Sequence, residues 1–192
     1  MTRIGSGSGP EADPREQIIG QLQLRRAAPA DARAIAELAV SGWRAAYAAI
    51  LPADFLAGLS IDARETAWRQ LLDAATNPEM CAWMAELDGI PAGFVSCGPP
   101  RDADLARPTA EVYAVYVRPD LIRRGVGRAL LGRAVGQLLA DGATDLVLWV
   151  FERNAPARAF YEAMGWRRDG ARQELDLGGI RSIEVRYRLA SG

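Results

Sequence analysis

The stretch from Glu111 to Ala140 restricts this chain most. Glu111-Val112-Tyr113-Ala114-Val115-Tyr116-Val117 is rich in aromatic and β-branched side chains, the composition of a strand. Arg118-Pro119-Asp120 ends it. The turn Arg123-Arg124-Gly125-Val126-Gly127-Arg128 then leads into a helix predicted over Arg128–Ala140, which Asp141-Gly142 closes. Leu146 to Phe151 follows as a nearly unbroken apolar run, as expected for a strand buried on both faces. A strand, a glycine turn, a helix and a second strand make a unit that belongs in a sheet covered by helices.

The rest of the chain extends that sheet. Leu22–Arg26 alternates and reads as a first strand. Pro29-Ala30-Asp31 opens an alanine-rich helix to about Ala48, with Asp31 or a neighbour near the N-cap and Ile35, Leu38, Ala39 and Trp43 on one face. Pro52 starts a short helical turn, and Ser60 precedes a helix through Leu72. Cys81–Leu87 and Ala92–Cys97 flank the hairpin signal Asp88-Gly89. Asn154-Ala155-Pro156 caps a helix to about Met164 that Gly165 ends, and Trp166–Leu189 reads as two strands joined at Gly178-Gly179. The expected order is βα(α)ββ followed by β-α-β-α-β-β, an α+β or mixed α/β sheet. It forms one domain over residues 21–190, preceded by a disordered leader over residues 1–20 that carries Gly5-Ser6-Gly7-Ser8-Gly9-Pro10.

Composition removes most catalytic chemistries. The 192 residues contain no histidine and no lysine, so all 23 basic residues are arginine. Ser-His-Asp and Cys-His catalysis, His-ligated zinc, the Walker A loop and Schiff-base chemistry are therefore excluded. A formal net charge of −1 argues against a nucleic-acid binder that relies on bulk charge. Cys81 and Cys97 are too few for a disulfide scaffold or a cysteine-ligated metal site, and no metal site is expected. The two cysteines face each other across the predicted hairpin, where free buried thiols are expected over a disulfide. No stretch approaches the roughly 20 apolar residues of a membrane span, and no signal-peptide core is present, so a cytoplasmic protein without a membrane partner is expected.

The glycine turn points to a ligand. Glycines allow positive φ and close backbone approach, and at a helix start several N–H groups and the macrodipole favour an anion. Between Arg118 and Arg133 five arginines stand against one acid, Asp120, in a chain that is nearly neutral. The combination describes a pyrophosphate cradle; the plain alternative is a tight turn with solvated arginines. The dinucleotide fingerprint fails, because its third glycine would fall at Leu130.

Val115-Tyr116-Val117-Arg118-Pro119-Asp120-Leu121-Ile122-Arg123-Arg124-Gly125-Val126-Gly127-Arg128-Ala129-Leu130-Leu131 resembles the acetyl-CoA motif of the GNAT superfamily of N-acetyltransferases. Asn154 to Trp166 resembles that family's second signature, and the first helix, with Trp43, Arg44, Ala46 and Tyr47 ahead of Leu51-Pro52, is also similar to many bacterial members. The resemblance implies a mostly antiparallel sheet splayed between its fourth and fifth strands, and acetyl-CoA as co-substrate. It further implies that the pantetheine arm lies along Val115, Tyr116 and Val117, touched by Asn154, and that amides from Arg123 to Arg128 (Arg123, Arg124, Gly125, Val126, Gly127, Arg128) hold the pyrophosphate. Where the family usually has Gln or Arg, three residues before the first motif glycine, this chain has Ile122.

Acetyl transfer poses two proton problems. The acceptor ammonium, with a pKa of about 10.4, must lose a proton, and the departing thiolate, from a thiol of about 8.5, must be stabilised. Tyr161 lies seven residues after Asn154, on nearly the same helix face and about 10 Å along the axis, so its hydroxyl could reach the sulfur as general acid. The alternative is that Tyr161 is a core aromatic and Asn154 an N-cap. Glu111 is separated from Val115 and Val117 by even numbers of residues, which in a regular strand puts all three on one face. In the histone-acetylating branch of the family a glutamate at the matching place is the general base; otherwise Glu111 is a solvated carboxylate at a strand end. Another branch carries its base on the fifth strand, where this chain has Trp149, and a covalent route through Cys97 is disfavoured. Trp43 and Tyr47 either wall the acceptor pocket or pack in the core. Substrate selection is expected from the first helices and the Gly98–Pro108 loop.

The expected activity is acetyl transfer to a primary amine, with a small-molecule acceptor ahead of a protein amine. A non-catalytic CoA-binding sensor is the alternative of another class. The resemblance also admits a homodimer.

Overall fold

In the computed structural model residues 21–190 are described, so the leader expected over residues 1–20 lies outside the described residues. One sheet carries β1 (Leu22–Arg26), β2 (Cys81–Leu87), β3 (Ile90–Gly98), β4 (Thr109–Val117), β5 (Asp145–Phe151), β6 (Arg167–Asp176) and β7 (Arg181–Ala190), in the order β1-β2-β3-β4-β5-β7-β6. β4 and β5 are parallel, and every other neighbouring pair is antiparallel. The helices are α1 (Ala32–Ala46), α2 (Ala53–Ala57), α3 (Ile61–Leu71), α4 (Val126–Ala140) and α5 (Ala155–Ala163). The order of elements is the one the periodicities predict. α4 starts two residues earlier than expected, because Gly125 at φ 90° already turns the chain as its N-cap.

Each face of the sheet buries its own apolar set. α4 covers one face, where Val95, Val112, Leu130, Leu131 and Leu148 pack together with Val115 and Val117. α1 covers the other, with Ile35, Leu38, Met84 and Phe94 packed against Trp68 of α3 and Tyr116 of β4. A third cluster joins Leu51, Leu56 and Phe151 to Trp43 and Tyr47, at the end of the sheet where α1 stops. Among the described residues no helix is long and apolar enough to cross a membrane. Cys81 and Cys97 are register partners and both are free, with their sulfurs 2.6 Å apart in the buried hairpin.

One irregularity changes the reading of β4. The β3–β4 register passes from Ser96↔Ala114 to Cys97↔Val112, so Tyr113 is an extra residue without a partner. Such a bulge reverses the alternation of the strand. Val112 therefore shares the α4 face with Val115, three residues away, while Ala114 and Tyr116 pack on the α1 side. Glu111, next to Val112, turns to the α1 face and away from that of Val115 and Val117. Because of the bulge, even spacing along β4 does not put Glu111 on that face.

β3 and α4 approach closely at Gly93. A Cβ at that position would sit 2.6 Å from the Tyr116 carbonyl oxygen and 3.0 Å from Leu130 Cδ1. The first neighbour is backbone and cannot rotate aside. Gly93→Ala is expected to lower the unfolding free energy by about 1–3 kcal/mol, the cost of overpacking. Urea denaturation measures it, and an unchanged midpoint would contradict the close approach.

Candidate active site

β4 and β5 pair only from Thr109↔Asp145 to Val112↔Leu148. Beyond that, β4 runs on to Val117 and β5 to Phe151, each held on its outer side by β3 or β7 but not by the other. The strands part in the middle of the sheet. Main-chain N–H and C=O groups on an edge opened inside a sheet need a partner, whether water or ligand. Val115, Tyr116 and Val117 lie along this edge.

The glycine turn closes one end of the gap. Arg123 (φ 64°) and Gly125 (φ 90°) both adopt left-handed backbone, which swings the chain into α4. Ala129 N donates to Gly125 O at 3.0 Å, so the amides of Val126, Gly127 and Arg128 precede the first intrahelical bond and have no carbonyl to meet. The Arg124 amide, expected to join them, donates instead to Leu121 O at 3.2 Å. The arginines also divide. Arg118 pairs with Asp120 at 2.7 Å, and Arg133 lies 3.8 Å over the Trp83 ring, which leaves Arg123, Arg124 and Arg128 exposed around the turn. Gly127 links the turn to the gap, since a Cβ there would lie 3.5 Å from Val117 and 3.6 Å from Phe160 of α5.

Phenols approach the gap from both faces. Asn154 is buried and caps α5, its side-chain oxygen accepting from Ala157 N at 3.2 Å. Asn154 and Tyr116 lie near enough to the Tyr47 hydroxyl to lower its pKa against the effect of burial. Tyr161 is half-buried on α5 beside Trp166 and Tyr187, within electrostatic range of Tyr47. Burial pushes the Tyr161, Tyr116 and Tyr47 phenols above their ordinary values. All three therefore stay protonated at neutral pH and can donate. Tyr47 also stacks edge-on with Trp43 and Phe151, so its ring serves the core while its hydroxyl group faces the gap.

Glu111 has a different setting from the one expected. It is fully buried, and its oxygens accept from Arg101: Oε2 from the backbone N–H at 2.9 Å, and Oε1 from Nε at 3.0 Å and Nη2 at 2.5 Å. Arg101 in turn lies 4.9 Å over the Tyr113 ring. The rest of the 98–108 loop is anchored the same way. Asp102 accepts from the Trp149 indole at 3.0 Å and from Arg186 at 2.8 Å, and Asp104 pairs with Arg186 at 3.0 Å. Cys97 is fully buried and its thiol is pushed far up by its bond to Cys81 and by burial, which leaves it inert as a nucleophile.

Sequence reasoning passed over Glu184. It is the register partner of Phe151 on β7 and faces the α1 side beyond the point where the strands part. Burial raises its carboxyl above the ordinary glutamate range, opposed by a hydrogen bond from Gln173 (2.8 Å) and by Arg101, and assisted by Glu111. In an alternating polar strand nothing distinguishes it from Arg186 or Arg188, and only the parting of β4 from β5 gives it a gap to face.

A cavity of about 670 Å³ opens on the α1 face of β4. Trp43 and Ala39 of α1, Arg64 and Trp68 of α3, Met80, Ser96, Arg101, Tyr113 and Tyr116 line it. Trp43 lines this cavity and also packs in the third apolar cluster, whereas Tyr47 stands outside the lining. Pro99 and Arg101 bring the 98–108 loop into the same wall.

The model of the Acetyltransferase (GNAT) family matches residues 43–166. "Uncharacterized N-acetyltransferase YuaI" of Bacillus subtilis is 32% identical over 85% of this chain and 90% of its own length. "Probable N-acetyltransferase Rv2775" of Mycobacterium tuberculosis is 30% identical over 88% of this chain and 93% of its own. Among solved structures, the PaiA N-acetyltransferase of Thermoplasma acidophilum in complex with coenzyme A superposes with a TM-score of 0.70 at 18% identity, covering 88% of this chain and 99% of that one.

The buried setting of Glu184 has a consequence for stability. A carboxyl with a raised folded pKa favours the fold below its unfolded pKa, and that contribution is lost as pH rises through the folded value. Glu184→Gln keeps an acceptor for Gln173 and removes the charge. Its melting temperature is therefore expected to exceed wild type at pH 8, with the difference shrinking as pH falls into the ordinary carboxylate range. Thermal melts across that range test it, and a variant less stable at pH 8 would show that the charge is not penalised.

Proposed function

The chain belongs to the GNAT acetyltransferase family, and from that premise we propose that it transfers the acetyl group of acetyl-CoA directly to a primary amine of a small molecule, with Tyr161 as general acid and Glu184, through water, as general base. The observation that carries this is the parted pair β4 and β5, with free helix amides at one end and three phenols, kept protonated by burial, within electrostatic range of one another. Acetyl-CoA supplies an activated thioester. The amides of Val126, Gly127 and Arg128, with Arg123, Arg124 and Arg128 around them, suit its diphosphate. The open edge at Val115, Tyr116 and Val117 suits the amide groups of its pantetheine arm.

The proton balance follows from the same side chains. Glu184 accepts the ammonium proton through water, and its raised pKa makes it a stronger base than a solvated carboxylate. The freed amine nitrogen bonds the acetyl carbon as the carbon–sulfur bond breaks. Tyr161 gives its proton to the departing sulfur, and the second proton, shed by the nitrogen as it becomes an amide, returns to the phenolate through water, so that one net proton leaves by way of Glu184. Glu111, with its carboxylate bound to Arg101, fits a positioning role for the 98–108 loop rather than that of the base. A walled cavity of about 670 Å³ is of the size that small ligands fill, which favours a small acceptor over a protein chain.

Tyr161→Phe is expected to lower kcat by about 10²–10⁴-fold with little change in acetyl-CoA affinity. Steady-state turnover with free-thiol detection measures it on an amine panel, and wild-type kcat would remove Tyr161 from the mechanism. Gly125→Val forces a β-branched residue into φ 90° and is expected to abolish the thermal stabilisation that acetyl-CoA confers. Stabilisation that survives would misplace the cradle, while binding without any transfer in the wild type would favour a sensor.

A further inference from the structure

We propose that the acceptor carries an anionic group, a carboxylate on an apolar primary amine, and that Arg64 binds it inside the cavity between α1 and α3. The inference deepens the acetyl-transfer reading and rests on it for the amine, but the anion site stands on its own geometry.

Arg64 is half-buried, lines the cavity and stacks its guanidinium 5.0 Å over the Trp43 ring. Among the described residues no carboxylate pairs with it. Its neighbours on α1 and α3 behave differently: Arg33 pairs with Glu37 and Asp62, and Arg69 with Glu65. A partly desolvated guanidinium without a counter-charge is costly, and stacking on an aromatic leaves the edge of its planar fork free for a carboxylate.

The other charges in the wall cancel. Arg101 is held by Glu111, and Glu79 pairs with Arg107. Arg64 therefore gives the cavity a positive balance, which repels polyamines and favours an acceptor whose own anion offsets its ammonium. A second observation marks the same space. Ser96 is fully buried, lines the cavity, and its hydroxyl has no hydrogen-bond partner. Such a group calls for a polar atom from a ligand or water. Trp43, Trp68, Leu71 and Met80 leave an apolar remainder. An amine, an anion and an apolar body together describe a hydrophobic amino acid or a close analogue.

The test uses matched ligands on the full chain: L-leucine against L-leucinamide, and L-methionine against L-methioninamide. Trp43 and Trp68 line the cavity, so intrinsic tryptophan fluorescence follows binding. Wild type is expected to bind each acid about tenfold to hundredfold more tightly than its amide, the range of a charge-assisted contact. Arg64→Gln is expected to bring that ratio to within about twofold, and Arg64→Lys to keep part of it, with circular dichroism showing that both variants fold. Equal affinities, a preference for the amides, a preference that survives Arg64→Gln, or no response to either pair would each overturn the proposal. Acetyl-CoA stabilisation measured alongside separates the two readings. If it is absent while the acids bind through Arg64, the acetyl-transfer reading fails alone; if it is present while acid and amide bind alike, the anion site fails alone.

Discussion

The separation of β4 from β5 is the constraint on which the rest depends. A parallel pair begins at Thr109↔Asp145 and stops after Val112↔Leu148, although both strands continue. The bulge at Tyr113 sits where the pairing stops. It re-aims the following residues, so that Tyr116 packs on Phe94 and against Gly42 of α1 while Val117 lies beside Gly127 of α4. An opening through an otherwise continuous sheet lets groups from both faces meet, which is how Tyr47 and Tyr116 on one side come within electrostatic range of Tyr161 on the other.

With arginine as its only basic residue the chain uses one functional group for several tasks, and the surroundings decide which. Arg186 is nearly fully buried and is met by Asp102, Asp104 and Asp169, with the Trp149 ring beside it. A buried cation with that many partners ties the 98–108 loop to β7, and removing a partner would leave an uncompensated charge. Arg101 does the same at Glu111 on β4. Arg133 stacks on Trp83. Arg123, Arg124 and Arg128 at the glycine turn and Arg64 in the cavity instead remain open to solvent or ligand.

Much of this was legible in the sequence. Strand and helix periods, turn glycines and the proline and asparagine caps are local, and they produced the element order, although the helix after the glycine turn begins at Val126 rather than at the expected Arg128. The two motifs at the family's spacing pointed to the splayed sheet. Glu111 shows where such reading stops: its distance from Val115 is even by count, yet one bulged residue reverses its face, and its bond to Arg101 has no local signature. Glu184 and Arg64 were passed over because an acid in an alternating strand, or an arginine on an amphipathic helix, looks like any solvated residue.

By itself, then, the sequence determined the elements, the left-handed backbone of the turn and the absence of imidazole and lysine chemistry, because each depends on residue type and on neighbours a few positions away. Tertiary structure alone decided which side chains share the gap, which carboxylates are occupied and which arginines are left without one. Those outcomes depend on register and on contacts between distant segments, such as Arg186 with Asp102 across 84 positions, and a single bulge is enough to change them.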